Sequence, residues 1–323
     1  MTGILRASAS RSTASGASSE AADPGPGTRI DDVTIAYRIA RGMSGDVFAV
    51  WHHGLLTPLV CKRLRPSDQK HAAHRRRLKI EGQLLSLVSH PGIVRLVDQR
   101  QATALPYLLL EHVGTRTLRD MLKTQGPFEV AEGVRIVQHV AAAVAHVHAR
   151  GFLHRDLKPS NVVLRDGRPV LLDFGVAWRL APRRRPPDRS GTPQYLAPEQ
   201  ITRAPLTAAT DVWGLGVMLV ELLTGERPFA AGPQTSEAPL SKRYPQLVEP
   251  PRLARALPDD LPRVIAHCLE RKPRARLQSA VAVARALDPF TAMKIWPAAL
   301  AGNEPFDSAD SLPSLRRVRS QHR

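Results

Sequence analysis

Only two cysteines occur in the 323 residues, and they stand far apart, at Cys61 and Cys268. A disulfide framework needs more numerous thiols, so both are expected as small buried apolar groups in a reducing compartment, with no disulfide partner. Long hydrophobic runs are missing too. A membrane helix requires about 20 consecutive apolar residues, and the stretch Ala141 to Val147 is short and interrupted by His146. No membrane span is therefore expected. Aromatics make up 5% of the chain and do not interleave basic runs such as His74-Arg75-Arg76-Arg77. Nucleic acid is then not an expected partner, because a stacking platform needs that interleaving. Acidic residues are few, 29 against 46 lysines and arginines, giving a formal net charge of +17. The excess reads as a solvated arginine-rich surface, with attraction to acidic substrates or anionic surfaces as the alternative.

What is present suits a globular enzyme: 43% of residues are hydrophobic, in a chain long enough to bury a sizeable core. Residues 1–30 hold Ser, Ala, Gly and Pro with few large apolars and are expected to be disordered. Residues 31–113 read as a small antiparallel sheet with one helix. Two strands and a turn are predicted over Val33–Val50, further strands over Leu59–Leu64, Ile93–Asp98 and Tyr107–Val113, and a helix over His71–Val88 that stops at His90-Pro91-Gly92. Residues 114–290 turn helical, with helices over Val130–Ala149, Thr210–Leu223, Leu261–Leu269 and Ser279–Leu287. Residues 291–323 form a basic tail that includes Arg316, Arg317, Arg319 and Arg323.

The chemistry concentrates in one stretch. His154-Arg155-Asp156-Leu157-Lys158-Pro159-Ser160-Asn161 puts a carboxylate, a lysine and an amide in a short loop. Asp173-Phe174-Gly175 then opens a glycine turn after the apolar run Val162–Leu172, itself broken by Arg165-Asp166-Gly167-Arg168. Phosphoryl transfer uses such a set: one carboxylate takes the acceptor's hydroxyl proton, a cation steadies the moving group, and oxygen ligands hold a metal against the phosphates. Ala197-Pro198-Glu199 follows in order. Upstream, the glycines of Gly42-Met43-Ser44-Gly45 let backbone N–H groups approach phosphate oxygens, and Lys62 precedes Glu81 on the next predicted helix.

In this order the motifs resemble those of eukaryotic-type serine/threonine protein kinases, and the wording Gly-Thr-Pro-Gln-Tyr-Leu-Ala-Pro-Glu-Gln at 191–200 resembles their bacterial branch. The resemblance covers residues 31 to 290. It implies an α+β, two-lobed protein kinase fold with 31–113 as N-lobe and 114–290 as C-lobe. It also implies a signalling enzyme that uses ATP and Mg2+ (or Mn2+) to phosphorylate proteins carrying Ser or Thr, itself included. Asp156 is then the catalytic carboxylate, Lys158 the neutralising cation, and Asn161 and Asp173 the metal ligands. Lys62 would hold the α- and β-phosphates with Glu81 as its partner, and Thr192 would tie the substrate-docking loop to Asp156. As a cleft cation, Lys62 is expected to be exposed and to matter little to stability. Around the nucleotide would stand Ala40, where the family has its first glycine, with Gly42, Gly45, Val47, Val60, Leu110, Glu111, Val113 and Val163. Leu110 takes the gatekeeper position, and the backbone of Glu111 and Val113 would bind adenine. Val60 replaces a usual alanine and should tighten the pocket. Leu85, Leu96, His154 and Phe174 would stack between the lobes, Glu199 would pair with Arg276, and Asp211 would anchor the catalytic loop. Bacterial kinases of this kind often carry a membrane helix after the domain; none is seen here, so a cytoplasmic protein is expected. A pseudokinase scaffold is the alternative, against which Lys62, Asp156, Asn161 and Asp173 are all retained.

One departure concerns regulation. The resemblance implies that Arg155 binds a phosphate on the activation loop, yet Asp188 stands four residues before Thr192, where a phosphorylated threonine is common. Asp188 is expected to pair with Arg155 without phosphorylation. Capture of Asp188 by Arg183, Arg184, Arg185 or Arg189, and phosphorylation of Ser190, are the rivals.

Overall fold

The computed structural model describes residues 24–291 apart from 43–44, 182–184, 187, 234, 255 and 259. Most of the N-terminal segment and all of the basic tail beyond Thr291 lie outside the described residues, as do Arg183 and Arg184.

The first part of the chain forms a six-stranded sheet. Its strands are β1 (Arg29–Ile30), β2 (Val33–Gly42), β3 (Gly45–His52), β4 (Thr57–Arg63), β5 (Leu96–Arg100) and β6 (Tyr107–Glu111), in the order β1-β2-β3-β4-β6-β5 and all antiparallel. Five strands were expected; the sixth, β1, is drawn from the segment expected to be disordered and pairs Arg29 with Thr34. Period-2 alternation sorts the side chains. Along β6, Leu108 and Leu110 join the core shared with α1 (Ala72–Leu87), while Tyr107 and Leu109 join a second core with Val33, Ile35, Phe48 and Cys61 on the other face. Helix α1 lies so close to the sheet that a Cβ on Gly82 would meet the Gln99 side chain at 2.2 Å.

The strand expected from Ile93 begins only at Leu96. The preceding residues bond elsewhere: Val94 N–H donates to Leu171 O (3.0 Å) and Leu171 N–H to Gly92 O (2.8 Å). These bonds stitch the sheet to the second lobe.

That lobe is mainly helical: α2 (Leu118–Gln125), α3 (Val130–Ala149), α4 (Pro198–Thr202), α5 (Ala208–Thr224), α6 (Leu240–Arg243), α7 (Leu261–Cys268) and α8 (Ala280–Leu287). Two hairpin-like ladders pair β7 (Phe152–Leu153) with β10 (Trp178–Arg179), and β8 (Val162–Arg165) with β9 (Arg168–Leu171). Helices α3 and α5 are apolar on nearly every face and buried accordingly, with Val134, Val137, Val144, Val212, Leu215, Val217 and Leu219 all at 0% exposure. Helix α2 was not anticipated, although its start carries a readable signal: the Thr117 hydroxyl accepts from Asp120 N–H (3.2 Å) while the Asp120 carboxylate accepts from Thr117 N–H (3.0 Å). Cys61 and Cys268 are free and fully buried, and burial pushes each thiol up to about 12. Among the described residues no helix is long and apolar enough to cross a membrane.

Candidate active site

A cavity of about 450 Å3 opens between the sheet and the helical lobe. Val47 (β3), Val60 (β4) and Leu110 (β6) line it from the sheet, and Val163 (β8) and Leu172 from the hairpin below. Ala40, Gly42, Glu111 and Val113 also line it, together with Lys62, Glu81, Asp156, Lys158, Asn161, Asp173 and Thr192. Gly45 alone among the residues expected there does not. Its glycine answers a packing demand, because at φ +148° a Cβ would stand 2.2 Å from Arg63 O. Met43 and Ser44 lie outside the described residues. The Glu111 N–H is already donated to Arg95 O (3.0 Å), so a contribution from its backbone to a base would have to come from its carbonyl. Ile39, Thr117 and Leu172 line the cavity without having been expected, since isolated side chains of these types carry no motif.

The innermost wall is electrostatic. Lys62 Nζ donates to Glu81 Oε2 and to Asp173 Oδ1, both at 2.7 Å. Glu81 uses its other oxygen on the N–H of Phe174 (3.2 Å), so one carboxylate ties α1 to both β4 and the Asp173-Phe174-Gly175 turn. Lys62 is 7% exposed, which corrects the expectation of an exposed cation. Burial alone would discharge the ammonium, but Asp173 and Glu81 outweigh it and hold its pKa above the usual lysine value. For Glu81 burial prevails and raises the carboxyl, whereas at Asp173 Lys62 outweighs burial and depresses it.

A second polar cluster lines the same cavity around Asp156. Asp156 Oδ2 accepts from Lys158 Nζ (2.7 Å), and Oδ1 from the N–H of Thr192 (2.9 Å). Lys158 Nζ also donates to the Thr192 hydroxyl (2.6 Å). Asn161 spends its amide NH2 on Asp156, at 2.9 Å to the carbonyl and 3.3 Å to Oδ2. What Asn161 can offer a cation is therefore its amide oxygen. Asp173 engages Oδ1 with Lys62 and with the N–H of Gly175 (3.1 Å), while its side chain stays 48% exposed, leaving Oδ2 for a ligand. Two hard oxygen donors lining one cavity fit a divalent cation that keeps several of its own waters.

Buried groups hold these loops. Asp211, 1% exposed, accepts from the N–H of His154 and of Arg155 at 2.8 Å each, and pairs with His148 (2.7 Å). Those bonds support Arg155 at φ 71°, a left-handed conformation costly for a side chain of this size. His154 and Phe174, both at 0% exposure, meet edge to face at 4.8 Å, and Phe174 shares its core with Leu85, with Leu96 packed against it. Arg276 grips Glu199 with two bonds of 2.7 and 2.8 Å.

Asp188 lies 3.6 Å from Arg155 Nη2, an ion-pair separation longer than a hydrogen bond, and 3.4 Å from Arg77 Nη2 on α1. Arg77, which sequence reasoning missed, also donates to the Ser190 hydroxyl (3.1 Å). Arg189 does not take Asp188; its Nε donates to Ile201 O (2.7 Å). Buried Gln200 was missed as well: its side chain donates to Arg155 O (3.0 Å) and accepts from the N–H of Ala197 (3.0 Å).

Residues 34–287 match the protein kinase domain family. The chain belongs to the protein kinase family. Its kinase domain is similar to serine/threonine-protein kinase PknB of Mycobacterium tuberculosis, 34% identical over 217 residues that cover 63% of this chain and 34% of the relative. Serine/threonine-protein kinase PkaA of Streptomyces coelicolor is 37% identical over 214 residues, 64% of this chain and 38% of the relative. Probable serine/threonine-protein kinase CE0033 of Corynebacterium efficiens is 29% identical over 305 residues, 89% of this chain and 46% of the relative. The chain thus matches between 34% and 46% of the length of these curated relatives.

Proposed function

We propose that the protein transfers the γ-phosphoryl group of ATP to serine or threonine hydroxyls of proteins. The observation that carries this reading is the double engagement of Lys62 by Glu81 and Asp173 at 2.7 Å, in a cavity that Asp156, Lys158 and Thr192 also line. Lys62 is held charged where the α- and β-phosphates would lie. Asp156 is aimed by Thr192 and Asn161, and accepts the proton of the acceptor hydroxyl; Lys158 neutralises charge on the migrating group. Asn161 and Asp173 would hold Mg2+ or Mn2+, which when bound supplies the positive charge that the triphosphate needs. The apolar walls from Val47, Val60, Leu110 and Val163 would sandwich the adenine. With all four of Lys62, Asp156, Asn161 and Asp173 gathered at the cavity, nothing favours a scaffold without catalysis.

The same reading includes activity without prior phosphorylation of the activation loop. Asp188 places a carboxylate between Arg155 of the catalytic loop and Arg77 of α1, one turn before Glu81.

Incubation with labelled ATP, Mg2+ and myelin basic protein should leave label on serine and threonine of the acceptor. An Asp173→Asn variant should lose the thermal stabilisation that Mg-ATP gives the wild type. Label confined to tyrosine, or Mg-ATP stabilisation that survives the substitution, contradicts the reading.

A further inference from the structure

The segment Pro193–Leu196 runs directly on from Thr192, whose N–H and hydroxyl engage Asp156 and Lys158. It is pinned by a stretch of chain that carries no motif. Gln246, 1% exposed, donates its side-chain amide to Pro193 O at 2.8 Å and to Leu196 O at 3.2 Å. It sits in the single turn Pro245–Leu247 just after α6, where Leu240, Tyr244 and Leu247 pack with Leu196 and Ile201 in a small separate core. A side-chain amide nitrogen carries two N–H donors, so one buried group can serve two backbone carbonyls at once. An aliphatic residue there would leave both carbonyls without those donors, and a carboxylate would repel them. Gln246 does not line the nucleotide cavity. Both donors of its amide are spent on the segment that follows Thr192.

We propose that Gln246 is a positioning residue for the protein acceptor. By fixing the carbonyls of Pro193 and Leu196 it holds Thr192, and through Thr192 the pair Asp156 and Lys158, in the arrangement that receives a serine or threonine side chain. This deepens the kinase reading and rests on it. The consequence is a division of effects: Gln246 governs how the acceptor is met and leaves the affinity for nucleotide alone.

The test measures initial rates of phosphate transfer to myelin basic protein by the full chain, beside Mg-ADP affinity by calorimetry. Gln246→Met keeps the shape and deletes both donors; with two hydrogen bonds lost, the KM for myelin basic protein should rise about tenfold. The Kd for Mg-ADP should stay within about twofold of wild type, which also reports that the variant is folded. Gln246→Glu should be worse than Gln246→Met at pH about 8 and recover relative to it as the pH falls to about 6, because burial raises a carboxyl pKa and a protonated carboxyl regains one donor. A merely structural filler would show no such recovery. A Met variant whose acceptor KM and kcat match wild type, a Glu variant that does not recover, or an equal weakening of Mg-ADP binding overturns the proposal. A wild type that binds Mg-ADP but transfers no phosphate overturns the kinase reading itself, and this proposal with it.

Discussion

At Lys62 an ammonium only 7% exposed serves two carboxylates at 2.7 Å, and one of them, Glu81, is itself 1% exposed. Taking the cation away leaves Glu81 as a buried charge without a counter-ion. Lys62→Met is therefore expected to abolish transfer and also to cost about 3 kcal/mol of stability at neutral pH, as breaking a buried pair does. The loss has a pH signature. Burial already raises the Glu81 carboxyl, and without Lys62 only the hydrogen bond from the Phe174 N–H still opposes that rise. A group whose folded pKa exceeds its unfolded one contributes stability below the unfolded value, and that contribution is lost as pH rises through the folded pKa. The Tm gap between variant and wild type should shrink as the solution is acidified from pH about 8 to about 6. A gap independent of pH, or more than a trace of remaining activity, contradicts this assignment. Asp156, Asn161 and Asp173 could be picked out as candidates in the sequence because two stand in one short loop and the third opens the glycine turn after the next apolar run. The burial of Lys62 could not be, since it depends on how closely α1 approaches β4.

Helix α1 and the activation loop meet at Asp188. That carboxylate is 48% exposed, and both its arginines stand beyond hydrogen-bond distance or at its limit, 3.6 Å for Arg155 and 3.4 Å for Arg77. Burial would raise the Asp188 carboxyl, but the Ser190 contacts and the two arginines hold it below the usual range. A half-exposed pair is screened by solvent and contributes at most about 1 kcal/mol, so Asp188→Asn should slow unphosphorylated enzyme by roughly two- to fivefold. The deficit should narrow as ionic strength rises. Wild-type protein treated with phosphatase, with its loop verified by mass spectrometry, should start at full rate. A lag that ends when Ser190 is phosphorylated, or an Asp188→Asn variant as fast as wild type, defeats the idea. The pairing of Asp188 with Arg155 could be anticipated from the family resemblance, which puts a phosphate-binding arginine at Arg155 and a carboxylate where the phosphate would stand. Arg77 could not, because in sequence it is one arginine in a basic run on a helix, and only the packing of α1 brings it to the loop. Elements followed the same division: α3 and α5 announced themselves by apolar faces, whereas the strand expected at Ile93 was displaced because residues 92–94 bond to Leu171 across the lobes.

Across the whole molecule, four imidazoles are partly or fully buried. Burial holds His90, His139, His146 and His154 below the ordinary histidine range. Neighbouring histidines add to this at His90, Arg135 and Arg168 at His139, and Arg150 at His146. At His154 the carboxylates of Asp211, Asp156 and Asp173 pull the other way, and burial prevails. Folded, these groups bind fewer protons than the unfolded chain does below its histidine pKa of about 6.5. Their contribution to stability is fully present above that value and is lost as the pH falls through it. The Tm should decline between pH about 7.5 and 5.5, before the depressed carboxyls of Asp173 and Asp211 titrate. A flat Tm over that interval would show that burial does not keep these imidazoles uncharged.

In the proposed function Asp156 is the group that meets the acceptor hydroxyl, and transfer hinges on it. The direct measurement is single-turnover transfer of γ-labelled phosphate from Mg-ATP to myelin basic protein by wild type and by Asp156→Asn, with nucleotide affinity measured on both. The asparagine preserves shape and removes the base, so transfer should fall by at least about a hundredfold, while Mg-ADP binds within about twofold of wild type. Transfer within about tenfold of wild type by a variant that still binds nucleotide would contradict the account.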